Sequence, residues 1–86
     1  MSENQCKVTV EIFGETYALK GDIEPERVRE IAAIVDERMK KIAKSNSRLS
    51  PAKVAVLAAL NLADDLLRLE QDYNQVILMV KDENRP

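Results

Sequence analysis

The stretch Pro51-Ala52-Lys53-Val54-Ala55-Val56-Leu57-Ala58-Ala59-Leu60-Asn61-Leu62-Ala63-Asp64-Asp65-Leu66 opens the segment that decides the fold. Ser50 and Pro51 form a helix start signal, a hydroxyl N-cap followed by proline, and no Gly or Pro recurs before Pro86. We therefore predict one helix from Pro51 to about Lys81, roughly 45 Å long at about 1.5 Å per residue. Because a domain of this size is narrower than that, the C-terminal half of the helix should project from it.

Beyond Asn61 this helix keeps one narrow apolar stripe, whose members recur at alternating spacings of four and three residues. Such a heptad pattern is typical of a coiled coil. Leaving the stripe in water would forgo about 1.5–3 kcal/mol per large side chain. We therefore predict self-association through a coiled coil or helical bundle along this stripe, which we call the seam: Ala55, Ala59, Leu62, Leu66, Leu69, Tyr73, Val76 and Val80.

Upstream of this helix, a period-two alternation of apolar and polar residues predicts a β-hairpin. Residues 7–13 place Val8, Val10 and Ile12 on one face, and the alternation resumes over residues 16–20. The Gly14-Glu15 pair interrupts the pattern between these segments, where a tight turn would join two strands. We assign Gly14 the structural role of supplying a positive φ in that turn.

Between the hairpin and the long helix, apolar residues recur every three or four positions from about Glu24 to Lys44. This spacing predicts an amphipathic helix with one buried face. The fold class is therefore α+β, a small head of β-hairpin and helix followed by a long C-terminal coiled-coil helix. We divide the chain into a head over residues 1–60 and an oligomerisation extension over residues 61–86.

A second apolar stripe of the long helix lies on a different face from the seam and stops early. We predict that it packs within the chain against the hairpin and the first helix. We call this stripe the outer ridge: Val56, Leu60, Ala63 and Leu67.

Composition excludes most catalytic chemistry. The 86 residues hold one modest core, with no His and a single Cys6, so a disulfide within the chain and the common zinc sites are both excluded. No Gly-rich phosphate loop or nucleophile elbow is present. We therefore expect no enzymatic activity, no metal and no cofactor, with a small helical mutase as the one enzyme class left open. Neither a membrane span nor a secretory signal is evident, so we expect a cytoplasmic protein.

One cluster of charge stands out, although 13 Lys and Arg against 15 Asp and Glu give a formal net charge of -2. Asp and Glu are absent between Arg38 and Lys53, where basic residues collect. Half of this cluster is explained by the preference of cations for the C-terminal ends of helices. The other interpretation is a surface that binds an acidic partner, either a protein polymer or a nucleic acid. Aromatic residues for stacking on bases are missing nearby, so nucleic acid is the less favoured partner. We call these candidate contacts the basic surface: Arg38, Lys41, Lys44, Arg48 and Lys53.

The order of these elements resembles the ZapA family of bacterial cell-division proteins. The resemblance covers about Val8 to Tyr73, and its most specific part is Val56-Leu57-Ala58-Ala59-Leu60-Asn61-Leu62-Ala63 followed by Asp64-Asp65-Leu66. It implies a non-enzymatic scaffold at the division site, dimeric or tetrameric, that binds FtsZ polymers and cross-links their protofilaments. Asn61 lies off the seam, so we expect its amide to have a structural role, satisfying backbone groups near the head.

Overall fold

The structure is a computed structural model that describes the backbone of residues 6–83 and the side chains of residues 7–73. Its elements follow the order β1 (Cys6–Ile12), β2 (Glu15–Gly21), α1 (Pro25–Ser45) and α2 (Pro51–Glu83). The two strands pair antiparallel as a hairpin. The α+β prediction is therefore confirmed, and the hairpin argues against the helical mutase, which would lack one.

The hairpin turns through Phe13 and Gly14, whose φ angles are both positive, at 53° and 82°. Positive φ at both central residues is the pattern of a type I′ turn, whose twist matches that of the flanking strands. The turn lies one residue earlier than predicted, because Glu15 already pairs with Ile12 in the sheet. Gly14 adopts its φ freely, whereas Phe13 carries a Cβ that disfavours this region.

Helix α1 covers the apolar face of the hairpin at β1 but not at β2. Val8 and Val10 of β1 are buried against Ala32 of α1. Leu19 and Tyr17 of β2 lie directly opposite those two valines in the register, yet both are exposed. Among the described elements, β2 approaches β1 but neither helix. Half of the sheet's apolar face is therefore left uncovered by the residues that the structure describes.

A second core cluster joins the two helices. It consists of Met39 on α1 with Val54 and Ala58 on α2, and Val54 is fully buried. Phe13 from the turn and Leu49 from the loop between the helices pack at its sides. The cluster therefore ties the hairpin, both helices and their connection together.

The prediction that the outer ridge packs within the chain is wrong. Val56 and Leu60 are 60 % and 62 % exposed, and Leu67 is exposed as well. The α1-facing positions of α2 belong instead to Val54 and Ala58, which are four residues apart on another face. Three faces of α2 are therefore apolar: the seam, the outer ridge and the face of Val54 and Ala58. The small side chains of this last face pack against α1.

The molecule is elongated. Its Cα radius of gyration is 18.1 Å, against about 12 Å for a compact domain of this length. The 33 residues of α2 span about 50 Å. The side chains from Leu66 to Tyr73 are all exposed, so this part of α2 projects from the head as predicted. Within the described residues, no helix combines the length and apolar content that a membrane crossing requires.

Candidate self-association and partner-binding surfaces

The seam is an exposed apolar stripe along α2. Leu66, Leu69 and Tyr73 are 57 %, 67 % and 67 % exposed, and Leu62 is partly covered near the head. Val76 and Val80, the last two residues of the predicted seam, lie outside the residues whose side chains are described. A single chain thus leaves large apolar side chains in water along the projecting half of α2. Such a patch marks an interaction surface.

The basic surface surrounds the end of the molecule where α1 passes into α2. Lys44 lies in the last turn of α1, Arg48 in the connecting loop and Lys53 in the first turn of α2, and all three are exposed. Lys44 suits the negative end of its helix dipole. Lys53 does not, because a cation in a first turn opposes the dipole, and that turn has no acidic residue. Helix-end electrostatics therefore leave the position of Lys53 unexplained.

Arg38 is separated from the other members of the basic surface by its contacts. Its guanidinium donates to Asn61 Oδ1 at 2.5 Å and forms an ion pair with Asp65 Oδ2, also at 2.5 Å. The same polar cleft between α1 and α2 includes Lys41 and Ser45. Arg38 thus clamps α1 to α2, and Asn61 accepts from this side chain rather than serving backbone groups.

The clamp was not predicted from the sequence. Its acidic member, Asp65, stands next to Asp64, which pairs on the surface with Arg68. A signal was available, since Asn61 and Asp65 continue the helical spacing of Val54 and Ala58. Polar residues that extend a buried stripe at spacings of three and four face the same neighbour as the stripe does.

We expect Arg38→Ala to lower the free energy of unfolding by about 1 kcal/mol, because the clamp is partly exposed to water. A double-mutant cycle with Asp65→Asn, measured by chemical denaturation, tests the contact, and Lys41→Ala is the control from the same cleft. If the Arg38→Ala and Asp65→Asn effects simply add, the two side chains do not interact in solution.

Asp36 on α1 holds the hairpin turn in place. The backbone N–H of Phe13 donates to Asp36 Oδ1 at 2.7 Å, and Lys40 pairs with Oδ2 at 2.9 Å. The hydrogen bond from Phe13, followed by that from Lys40, lowers the pKa of Asp36 below its ordinary value. The ionised carboxylate thus secures a strained residue whose ring packs on the second core cluster.

This contact makes stability depend on pH. A carboxyl whose pKa is lower in the folded state stabilises the fold above its unfolded pKa, and this contribution is lost as the pH falls through the folded value. We therefore expect the denaturant concentration at the midpoint of unfolding to decrease once the pH is lowered below about 4. Asp36→Asn should lower the midpoint at pH 7 and weaken the acid dependence. Glu37→Gln, which neutralises the neighbouring carboxylate, should change neither, and an unchanged acid dependence in Asp36→Asn would refute this role.

Two kinds of surface therefore emerge, an apolar one along α2 and a basic one at the connection between the helices. Among the described residues, no group of three or more acidic, Cys or His side chains could hold a metal ion. The surfaces suit contacts with other macromolecules.

The model of the family described as "Cell division protein ZapA" matches residues 8–83 of the chain. The chain belongs to the ZapA family. A ZapA from Shouchella clausii is 39 % identical over 72 residues, which cover 84 % of this chain and 92 % of that protein. A ZapA from Geobacillus sp. (strain WCH70) is 36 % identical over 78 residues, covering 90 % of each.

Solved structures agree with this membership in the ZapA family. A ZapA mutant dimer from Geobacillus stearothermophilus superposes with a TM-score of 0.69 at 32 % identity, covering 94 % of this chain and 95 % of that one. A structure described as an unknown conserved bacterial protein from Pseudomonas aeruginosa PAO1 superposes with a TM-score of 0.76 at 28 % identity, covering 90 % of this chain and 86 % of that one. The resemblance predicted from the sequence is confirmed. The dimeric relative supports self-association of this chain. Membership in the family supports a role in cell division.

Proposed function

We propose that this chain is a non-enzymatic scaffold of the division site in the cytoplasm, which binds FtsZ filaments and cross-links them as a dimer or tetramer. The observation that carries the proposal is the exposed seam on the half of α2 that projects from the head. A chain built this way brings two or more heads together on one elongated body. Membership in the ZapA family supports a role in division.

We assign a separate role to each of the two surfaces, the basic surface and the seam. The head over residues 1–60 carries the basic surface, and the extension over residues 61–86 carries most of the seam through which the chain self-associates. Lys44, Arg48 and Lys53 are our candidate FtsZ contacts, together with Lys41 at the polar cleft. Arg38 contributes indirectly, because its guanidinium already holds α2.

Bivalency explains how such a protein could bundle a polymer without a strong individual contact. Once one head of an oligomer is bound, the other head searches the same filament or its neighbour at a high effective concentration. Weak contacts at each head therefore add up to firm cross-linking, provided that the oligomer stays together. The elongated shape keeps the heads accessible to separate filaments.

The direct test is sedimentation with FtsZ polymer over a series of protein concentrations, combined with light scattering to detect bundles. We expect the chain to pellet with filaments and to raise the scattering. An oligomer that stays in the supernatant would rule out the scaffold function. If the chain instead binds DNA or RNA, and this binding is unaffected by FtsZ and weakens steeply as the salt concentration rises, the nucleic-acid alternative is favoured.

A further inference from the structure

One edge of the hairpin is open along β1. Within the described residues the sheet has two strands, and β1 pairs with β2 alone. A two-residue type I′ turn makes Ile12 and Glu15 a hydrogen-bonded pair, and such pairs alternate along an antiparallel ladder. Val10 is therefore bonded to β2 through its backbone, whereas the backbone N–H and C=O groups of Thr9 and Glu11 point to the other side of β1. We call that side the open edge.

Helix α1 runs beside the open edge. Ala32 packs on Val10 within β1, and one turn later Asp36 accepts from the backbone N–H of Phe13, just past the end of the strand. The helix and the strand therefore run in the same direction, with a groove of about 310 Å³ between them. Ala32 and Ala33 keep the centre of this groove free of large side chains. We call it the edge groove, and its lining includes Thr9, Glu11, Arg29, Ala32, Ala33 and Asp36.

The unpaired backbone groups make the edge groove suitable for an extended peptide. A row of open N–H and C=O groups is a template for pairing with another strand. A peptide that adds to such an edge gains main-chain hydrogen bonds, and the surface beside the edge selects its side chains. The far edge of β2 has equivalent open groups, yet neither of the described helices approaches it. Of the two edges, that of β1 therefore combines a strand template with a side wall.

The charged residues of the edge groove differ between its two ends. Arg29 precedes Ala32 on α1, so it lies toward the start of β1. It is exposed, and among the described residues no carboxylate pairs with it. Glu11 and Asp36 lie toward the end of β1, where Lys40 supplies one compensating charge. A strand antiparallel to β1 therefore fits this arrangement if its first residue is basic and its last residue is acidic.

We propose that an extended segment of another protein binds in the edge groove as a third strand antiparallel to β1. Its aliphatic side chains lie over Ala32 and Ala33, its basic end lies near Glu11, and its acidic end lies near Arg29. The edge groove shares no residue with the seam or the basic surface. The inference therefore goes beyond the proposed function and is independent of FtsZ binding.

The probe for this proposal is the peptide acetyl-KTVTVTE-amide with N-methyl groups on its two valine nitrogens. In the proposed register its threonines lie opposite Lys7, Thr9 and Glu11 and exchange hydrogen bonds with the open edge. The N-methyl groups then face away from β1, and they prevent the peptide from pairing with itself. The control peptide has the same sequence, with the N-methyl groups on its threonine nitrogens instead. We expect the full-length chain to bind the probe about tenfold more tightly than the control.

Amide hydrogen exchange, followed by NMR on the ¹⁵N-labelled full-length chain, locates the bound peptide. Without the probe, the amides of Thr9 and Glu11 should exchange faster than that of Val10, which is bonded to β2. Saturating probe should slow the exchange of Thr9 and Glu11 about tenfold. It should leave the exchange of Thr16 and Ala18 unchanged, because their amides lie on the far edge of β2.

Two substitutions test the two walls of the edge groove separately. Thr9→Pro removes one donor from the open edge, at a position where the ladder to β2 does not use the N–H. It should weaken probe binding about tenfold, whereas Thr16→Pro, the matched change on β2, should not. Ala33→Phe fills the groove from an exposed position on α1 and should weaken binding equally, without a proline in the hairpin.

Three results would overturn the inference. One is equal binding of the probe and the threonine-methylated control, or no binding of either at millimolar concentrations. Another is unchanged probe binding by both Thr9→Pro and Ala33→Phe. The third is slow exchange of Thr9 and Glu11 before the probe is added, which would mean that a second copy of the chain already covers the open edge. None of these results affects the scaffold function, which cosedimentation with FtsZ polymer tests separately.

Discussion

Leu66→Asp is expected to dissociate the protein into monomers at micromolar concentrations. Leu66 is 57 % exposed in the single chain, so its burial belongs to the oligomer rather than to the head. In a symmetric assembly the substitution enters each copy, and it places carboxylates in an apolar interface where they have no counter-charge. Analytical ultracentrifugation over a concentration series should therefore report the monomer mass, about half that of the smallest wild-type oligomer.

The control for this prediction is Gln71→Asp, which adds the same charge on a polar face of α2. It should leave the sedimenting mass unchanged. Circular dichroism of Leu66→Asp will show whether the head keeps its helices without a partner, since many obligate dimers have no stable monomer. If Leu66→Asp sediments like the wild type, the seam has been assigned to the wrong face.

The helices and the hairpin could be predicted from periodicity, because each of them has a regular apolar pattern and a clear start signal. The Ser50-Pro51 signal is an example, since α2 begins at Pro51 and Ser50 Oγ accepts from the backbone N–H of Lys53 at 3.3 Å. The turn was predicted one residue too late because Phe13, with its aromatic side chain, gives no turn signal in the sequence. Its positive φ, which a Cβ disfavours, goes with its contacts to Asp36 and to the second core cluster.

Which face of α2 meets α1 could not be predicted, because three of its faces are apolar. A hydrophobic pattern states that a face is covered but does not identify what covers it. The outer ridge lies on a separate face from the seam and stops early, and this pattern favoured packing within the chain. Small side chains at Val54 and Ala58 face α1 instead, and this leaves the larger ones available for a second chain.

The polar contacts were missed because they join distant parts of the chain. Asp36 meets Phe13 and Arg38 meets Asn61, each across 23 positions. Neither pair has a local sequence signature, unlike the four-residue spacing of Asp64 and Arg68 on one helix. Such contacts become visible only when the register between elements is known. They change the interpretation of Arg38, which charge alone had grouped with the partner-binding residues.

The double charge reversal Arg48→Glu with Lys53→Glu is expected to weaken binding to FtsZ filaments about tenfold, equivalent to about 1.4 kcal/mol. Both side chains are exposed where α1 passes into α2, and neither belongs to the seam. Under the proposed function, in which these cations attract an acidic filament surface, reversal replaces attraction with repulsion. The association rate should then fall, and the salt dependence of binding should weaken. Cosedimentation at several salt concentrations measures both effects.

A matched control separates this local effect from the change in net charge. Lys7→Glu with Arg27→Glu makes the same change at exposed positions on β1 and at the start of α1, away from the basic surface. The control should pellet with filaments like the wild type, and both double variants should keep the wild-type sedimenting mass. Lys53 is the more informative of the two targets, because its place in a first turn opposes the helix dipole. Reversing Lys53 alone should therefore stabilise α2 slightly while it weakens binding, and wild-type binding by the double variant would show that the filament contacts another part of the head.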